Sequence, residues 1–195
     1  MLKRSILTAL VVLTLGLTAH ADTWHFDKAH SSVGFAVRHM VVSKTTGKFD
    51  DFEGAVEFDG KNIEAGSVNI AIKMASIDTD NTDRDKHLKS GDFFDIEKYP
   101  EMTFKSKKIT KGSGNTFTMV GTLTIKDVSR DVTLEGEFNG VIDDPWGNTR
   151  AGFTAKTKIN RQDFNVAFDN KLQDGSLVVG NDVEITLEIE LIKAK

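Results

Sequence analysis

The 195-residue sequence contains no cysteine, two prolines and one tyrosine, and it carries no excess of positive charge. Without cysteine there is no disulfide framework, no thiolate zinc site, no iron–sulfur cluster and no cysteine nucleophile. With 25 Lys+Arg against 29 Asp+Glu the net charge is −4, so the chain lacks the cationic surface that phosphate binding needs. Its densest basic run, the four lysines of residues 105–111, reads as a solvated surface beside a turn. No nucleic-acid partner is expected. What is present is globular composition: 39% hydrophobic and 28% charged residues are too apolar a mixture for a disordered chain.

The first 21 residues differ from the rest. Lys3-Arg4, an apolar run over residues 6–17 and Ala19-His20-Ala21 match, in order, the three parts of a secretory signal. The run is too short for a stable membrane anchor, and no cysteine follows the cleavage site to carry a lipid. Removal of residues 1–21 leaves 174 residues (195 less 21), and loss of Lys3 and Arg4 takes the net charge from −4 to −6. An exported protein without cysteines fits a bacterial periplasm, where a domain that buries its own core needs no disulfide. Residues 22–195 show no long repeat or linker and read as one domain.

Along that domain apolar residues recur with a period of two, the signature of half-buried strands. Eight segments show it, with inward faces centred on Val33/Phe35/Val37, Phe52/Val56/Phe58, Val68/Ile70/Ile72, Met102/Phe104, Phe117/Met119/Leu123, Val132/Leu134/Phe138, Phe153/Ala155/Thr157 and Ile185/Leu187/Ile189. The fifth and sixth form a hairpin across residues 126–130. Eight one-sided strands stack as two sheets or close into a barrel, and only closure removes the edges. The expected fold is therefore all-β, an eight-stranded antiparallel barrel with the last strand paired to the first. One interval breaks the period, between strands 3 and 4. Residues 82–90 read as a short helix with Thr82 as N-cap, acidic residues in its first turn and Gly91 ending it.

Such a barrel is just wide enough to be filled by its own side chains or to hold one small ligand. Gly54, Gly121, Gly136, Ala151 and Ala155 on the inward faces reduce the volume available to fill it and favour a cavity. An apolar cavity suits a lipid tail. The expected lining is Phe35, Val37, Phe52, Phe104, Met119 and Phe153, with the adjacent Phe93 and Phe94 capping an open end.

These residues sit in blocks that resemble the YceI-like family of exported, lipocalin-like polyisoprenoid-binding proteins. The blocks are Trp24-His25-Phe26-Asp27 with His30-Ser31-Ser32-Val33-Gly34-Phe35, then Arg38-His39-Met40, Gly47-Lys48-Phe49 and Phe52-Glu53-Gly54. The most specific are Ser76-Ile77-Asp78-Thr79, Arg84-Asp85-Lys86-His87-Leu88-Lys89-Ser90, Asp92-Phe93-Phe94-Asp95 and Lys98-Tyr99-Pro100, followed by Gly121-Thr122-Leu123-Thr124-Ile125, Asp144-Pro145-Trp146-Gly147 and Arg150-Ala151-Gly152-Phe153. The resemblance implies a barrel holding a long isoprenoid, such as a quinone or polyprenyl diphosphate, or a related fatty-acid-like amphiphile, for transport, storage or stress response. It implies no cofactor beyond that ligand. A homodimer stays open.

Four residues are candidates for a ligand head group or the barrel mouth: Arg38, His39, Arg84 and His87. Alternation counts against Arg38, since an inward Val37 turns it outward. Histidines 25, 30, 39 and 87 match no zinc spacing, and the expected role of His30 and Ser31 is to order the first turn by hydrogen bonds. Asp83, Arg84 and His87 share a helix face and define an alternative, an enzyme acting on an amphiphile, although no nucleophile motif accompanies them. A second alternative is a stress-related protein working through its exterior. Asp144-Pro145-Trp146-Gly147 is expected to turn with its indole folded over a barrel end.

Overall fold

The computed structural model describes residues 21–195; residues 1–20 of the expected leader lie outside the described residues. Eleven strands run β1 (Asp22–Phe26), β2 (Ser32–His39), β3 (Ser43–Phe49), β4 (Phe52–Phe58), β5 (Ser67–Lys73), β6 (Ile77–Asp78), β7 (Glu101–Lys111), β8 (Thr116–Ile125), β9 (Val128–Asp143), β10 (Thr149–Asn160) and β11 (Val179–Lys193), with one α-helix, α1 (Thr82–Lys89), between β6 and β7. All pairings are antiparallel, in the order β1-β4-β5-β7-β8-β9-β10-β11, and β11 returns to β1 through Trp24↔Lys193 to Phe26↔Leu191. The sheet is a closed eight-stranded barrel.

Three of the eight staves are broken. β1 and β2 form one, interrupted at residues 27–31; β3 and β4 form the next, interrupted at Asp50-Asp51; β5 and β6 form the third, interrupted by a 3₁₀ turn, Met74–Ser76. The breaks lie at one level, because Asp50 N–H donates to Ser76 O (3.2 Å), Lys73 N–H to Asp51 O (2.9 Å) and Asp27 N–H to Glu190 O (2.9 Å). Past them β11 pairs with β2 (Val183↔Val37, Ile185↔Phe35, Leu187↔Val33), the expected closure of last strand on first. β2 pairs with β3, but β6 covers only Lys48 and Phe49. The wall between β3 and β7 is completed there by residues 79–100, which carry α1.

Local details differ from the sequence reading for identifiable reasons. β3 went unseen because its inward residues Thr45 and Gly47 are not apolar, although Lys44, Thr46 and Lys48 alternate outward. Helix α1 is capped by Asn81, whose side chain accepts from Arg84 N–H at 2.9 Å, and by Ser90 rather than Thr82 and Gly91. The β8–β9 turn is only Lys126-Asp127, with Lys126 at φ 56, so Ser129 and Arg130 belong to β9. The lysines of residues 105–111 stand on the second half of β7, where Lys107 pairs with Asp131 at 2.6 Å.

The deepest anchor is Trp24, 1% exposed, with Nε1 donating to Phe58 O at 3.0 Å and its ring 5.0 Å from that of Phe58. Satisfying the indole N–H while burying the ring ties β1 to β4 at the end remote from α1.

Candidate ligand cavity

The barrel holds a cavity of ≈ 240 Å³ whose surface is apolar, although Ser67, Thr157 and Arg161 also border it. That is many times what one water needs, and with no polar partner on that surface water has little reason to fill it. The two halves of the wall differ. On β5, β7 and β8 the inward Ile70, Ile72, Met102, Phe104, Phe117, Met119 and Leu123 are buried against one another. On β2, β10 and β11 the inward Phe35, Val37, Phe153, Ala155, Val183, Ile185, Leu187 and Ile189 line the same cavity yet remain partly exposed. Their register points them inward, so the open space lies against the β10–β11–β2 wall.

Glycine keeps that space open. A Cβ on Gly47, Gly121 or Gly136 would meet the ring of Phe35, Phe104 or Phe117, respectively, inside 3.0 Å. The tip of each ring therefore occupies the space that a Cβ would take on a glycine of the adjoining strand. Gly54 acts differently: at φ 156, a Cβ there would strike the backbone of Asn69 and Ile70, so it permits close approach of β4 to β5.

Of the residues expected to line a cavity, Phe35, Val37, Phe93, Phe94, Phe104, Met119 and Phe153 face it. Phe52 does not; opposite Ile72 on the inward face of β4, it is fully buried in the core, edge-on to Phe26 at 5.7 Å. Phe26, Phe49, Ile63, Leu88, Arg161 and Val166 line it as well. Phe49 was recoverable from the alternation of β3, whereas Arg161 and Val166 lie outside any strand and gave no periodic signal.

Two segments close the α1 end. One brings Phe93 and Phe94 from the stretch after α1; the other is the strap of residues 161–178, which opens with a 3₁₀ turn, Arg161–Phe164. Phe93 stacks on Phe168 at 4.7 Å, and His87 stands edge-on to both rings at 5.0 and 5.3 Å. Lys126 Nζ donates to Phe93 O (3.1 Å) and Asn165 O (3.0 Å), pinning the segments together. Arg161, 4% exposed, touches the apolar wall through its methylenes, and its guanidinium donates to Val166 O (2.5 Å), Gly180 O (2.9 Å), Val179 O (3.0 Å) and Asn181 Oδ1 (3.1 Å). Burial lowers its pKa, opposed by the charge of Asp169. It clamps the strap to the start of β11.

None of the four head-group candidates reaches the cavity wall. Arg38 is exposed on the outer face, and His39 ends β2 opposite Ser43 and Val179. Arg84 is spent on Thr79, through Nε to Oγ1 (2.8 Å) and Nη2 to the carbonyl (2.6 Å). His87 pairs with Asp92 at 2.9 Å instead of Asp83, so Asp83, Arg84 and His87 are not assembled as an acid–base group.

At the opposite end Arg150 gathers three carboxylates: Asp27 (2.7 Å), Asp144 (2.6 Å) and Glu190 (2.5 Å). His30 donates to Asp27 at 3.0 Å, and Ser31 Oγ exchanges hydrogen bonds with Glu190 O and N–H, as expected of the first turn. The Asp27 carboxyl is lowered to about 2, first by His30 and then, against the cost of burial, by Arg150 and Ala29 N–H. Burial also opposes ionisation of Asp144, but Asn148 N–H and Arg150 overcome it and hold that carboxyl far below the usual range. Asp27, His30 and Glu190 have ligand atoms within 4.8 Å of one another, yet the guanidinium between the two carboxylates already supplies the cation. Asp144 shapes its turn by accepting from Trp146 and Asn148 N–H, both at 2.9 Å, but the indole stands 78% exposed instead of folding over the barrel.

Comparison with known proteins agrees with this architecture. The model of the YceI-like domain matches residues 24–191. Protein YceI of Escherichia coli is 42% identical over 173 residues, covering 86% of this chain and 90% of that one. The crystal structure of a Campylobacter jejuni YceI protein, 37% identical, superposes with a TM-score of 0.71 over 87% of this chain and 96% of the other. A polyisoprenoid binding domain from Saccharophagus degradans shares the fold at a TM-score of 0.66 and 14% identity, over 88% of this chain and 98% of that domain. Among the described residues no helix is long and apolar enough to cross a membrane.

Proposed function

The chain belongs to the YceI-like family, and from that premise we propose that it is a binding protein for a long-chain isoprenoid or related amphiphile, a polyprenyl diphosphate, isoprenoid quinone or fatty-acid-like molecule. The observation that carries this reading is the wholly apolar cavity against the β10–β11–β2 wall. The similarly folded polyisoprenoid binding domain supports the choice of ligand class. Each buried CH₂ contributes ~0.8 kcal/mol, so one five-carbon isoprene unit supplies roughly 4 kcal/mol of gross driving force. A few units exhaust what any affinity requires, and the cavity surface exposes no polar atom that would need a head-group partner. Affinity then comes from the tail, and selectivity from bore and length.

The same reading makes the protein a carrier or store rather than an enzyme. Export through the leader of residues 1–21 would place it in the periplasm, in transport, storage or stress response. Solvent extraction of protein purified from its native host, followed by mass spectrometry, tests the proposal: one or a few long-chain lipids near one equivalent are expected. An empty extract, together with failure of the emptied protein to take up added long-chain lipid, would overturn it.

A further inference from the structure

We infer that the Gly47–Phe35 pair sets the bore of the cavity, and so decides whether a methyl-branched chain is accepted alongside a straight one; this rests on the chain-binding reading above. Phe35 and Gly47 are direct cross-strand partners on β2 and β3. The ring is partly exposed to the cavity and lies on the glycine. Sideways movement is limited, because Phe49 stands 5.6 Å away between centroids and itself packs on Phe94 at 6.5 Å.

A Cβ at position 47 would point inward from β3 and strike Phe35 Cζ first, with the Thr79 methyl at 2.7 Å and Phe35 Cε1 at 2.8 Å. Ordinary contact begins near 3.4 Å, so the tip of the ring would have to retreat by about 1 Å, and the ring borders the lumen into which it can move. Gly121 and Gly136 seat Phe104 and Phe117 in the same way, but a Cβ there also strikes the carbonyls of Lys105 and Thr154 at 2.7 and 2.6 Å. Substitution at those two would disturb the barrel itself. The three nearest contacts at Gly47 are all side-chain atoms, of Phe35 and Thr79, and its φ is not positive, so of these three glycines it is the one whose substitution narrows the lumen without striking backbone at close range.

A straight alkyl chain needs less width than an isoprenoid, whose methyl branches recur every fourth carbon. The test is binding of two probes, geranylgeraniol and hexadecanol, to delipidated wild type, Gly47→Ala, Phe35→Leu and the double variant. Gly47→Ala should weaken geranylgeraniol about tenfold and hexadecanol less than threefold, the scale expected of overpacking by one methyl. Adding Phe35→Leu should restore the wild-type ratio. Equal effects on both probes, or no restoration, would overturn the inference. Should Gly47→Ala fail to fold, Phe35→Leu alone decides, since removing the ring edge should shift the ratio toward geranylgeraniol and an unchanged ratio refutes the role. A wild type that binds neither probe would instead overturn the chain-binding reading and the bore assignment with it.

Discussion

Leu187 and Leu191 lie on the same inward face of β11, four residues apart, and truncating each to alanine should have different consequences. Leu191 is 0% exposed beside Phe26 of β1, at the border of the cavity. Leu187 faces the lumen and remains partly exposed to it. Leu191→Ala removes buried carbons worth ~0.8 kcal/mol each from a fully buried side chain and forfeits the packing around them, for a total of about 3–4 kcal/mol. Leu187→Ala only enlarges space that is already open, so the void adds no new penalty and about 1 kcal/mol of lost contact remains. Loading reverses part of this difference, because a chain in the lumen supplies the atoms Leu187 lacks. Urea unfolding of delipidated and geranylgeraniol-loaded protein measures both. The delipidated variants should differ by at least ~1.5 kcal/mol, and the Leu187→Ala penalty should grow on loading by about 1 kcal/mol. Equal penalties in the delipidated state would mean that Leu187 is packed as closely as Leu191, and the reasoning would fail.

Arg161→Met should destabilise by about 2–4 kcal/mol in urea unfolding, because three strap and β11 carbonyls lose a buried charged donor; a loss under ~1 kcal/mol would show that the clamp is dispensable. The Asp27 carboxyl, held at about 2 against an ordinary 3.8, favours the folded state above pH 4, and its contribution disappears as pH falls through 2. The melting temperatures of wild type and Asp27→Asn should therefore differ at neutral pH and converge between pH 4 and 2. A gap that persists at pH 2 would show that charge is not what the variant removes. Trp24 is buried and Trp146 is exposed, so Trp146→Phe should leave blue-shifted emission that resists acrylamide quenching, while quenchable emission from that variant would contradict the placement of Trp24.

The period-two pattern exposed the barrel because every stave presents an apolar face to a shared interior, and Val183/Ile185/Leu187 beside Val33/Phe35/Val37 revealed even the closing seam. What stayed hidden obeyed other rules. The turn at Asp27 and the break at Asp50-Asp51 divide staves by backbone hydrogen bonds that leave no mark on the apolar pattern. Phe52 has the same sequence signature as Phe35, and only its tertiary packing against Phe26 makes it core where Phe35 borders the lumen. Arg161 looked like any surface arginine, since its burial depends on carbonyls at residues 166, 179 and 180 that tertiary folding brings to it. His87 and Arg84 had the spacing of a site but were claimed by Asp92 and Thr79, partners nearer than any ligand.

The division of the wall separates two demands that a lipid-binding barrel must meet together. A cavity large enough for a chain removes packing atoms from the core, and this chain has no disulfide to offset the loss. Concentrating close packing on β5, β7 and β8 gives the empty barrel a core that does not depend on the ligand. Leaving the middle of β2, β10 and β11 partly exposed to the lumen, while Val33, Ala151 and Leu191 on the same strands stay buried, makes part of the stability depend on occupancy by a ligand that binds only the folded state. Substitutions along Val183, Ile185 and Ile189 can then alter which chain is held with little effect on folding of the empty protein. The same exchanges at Met119 or Phe117 would act first on the fold, so ligand preference can vary along one wall while the other stays fixed.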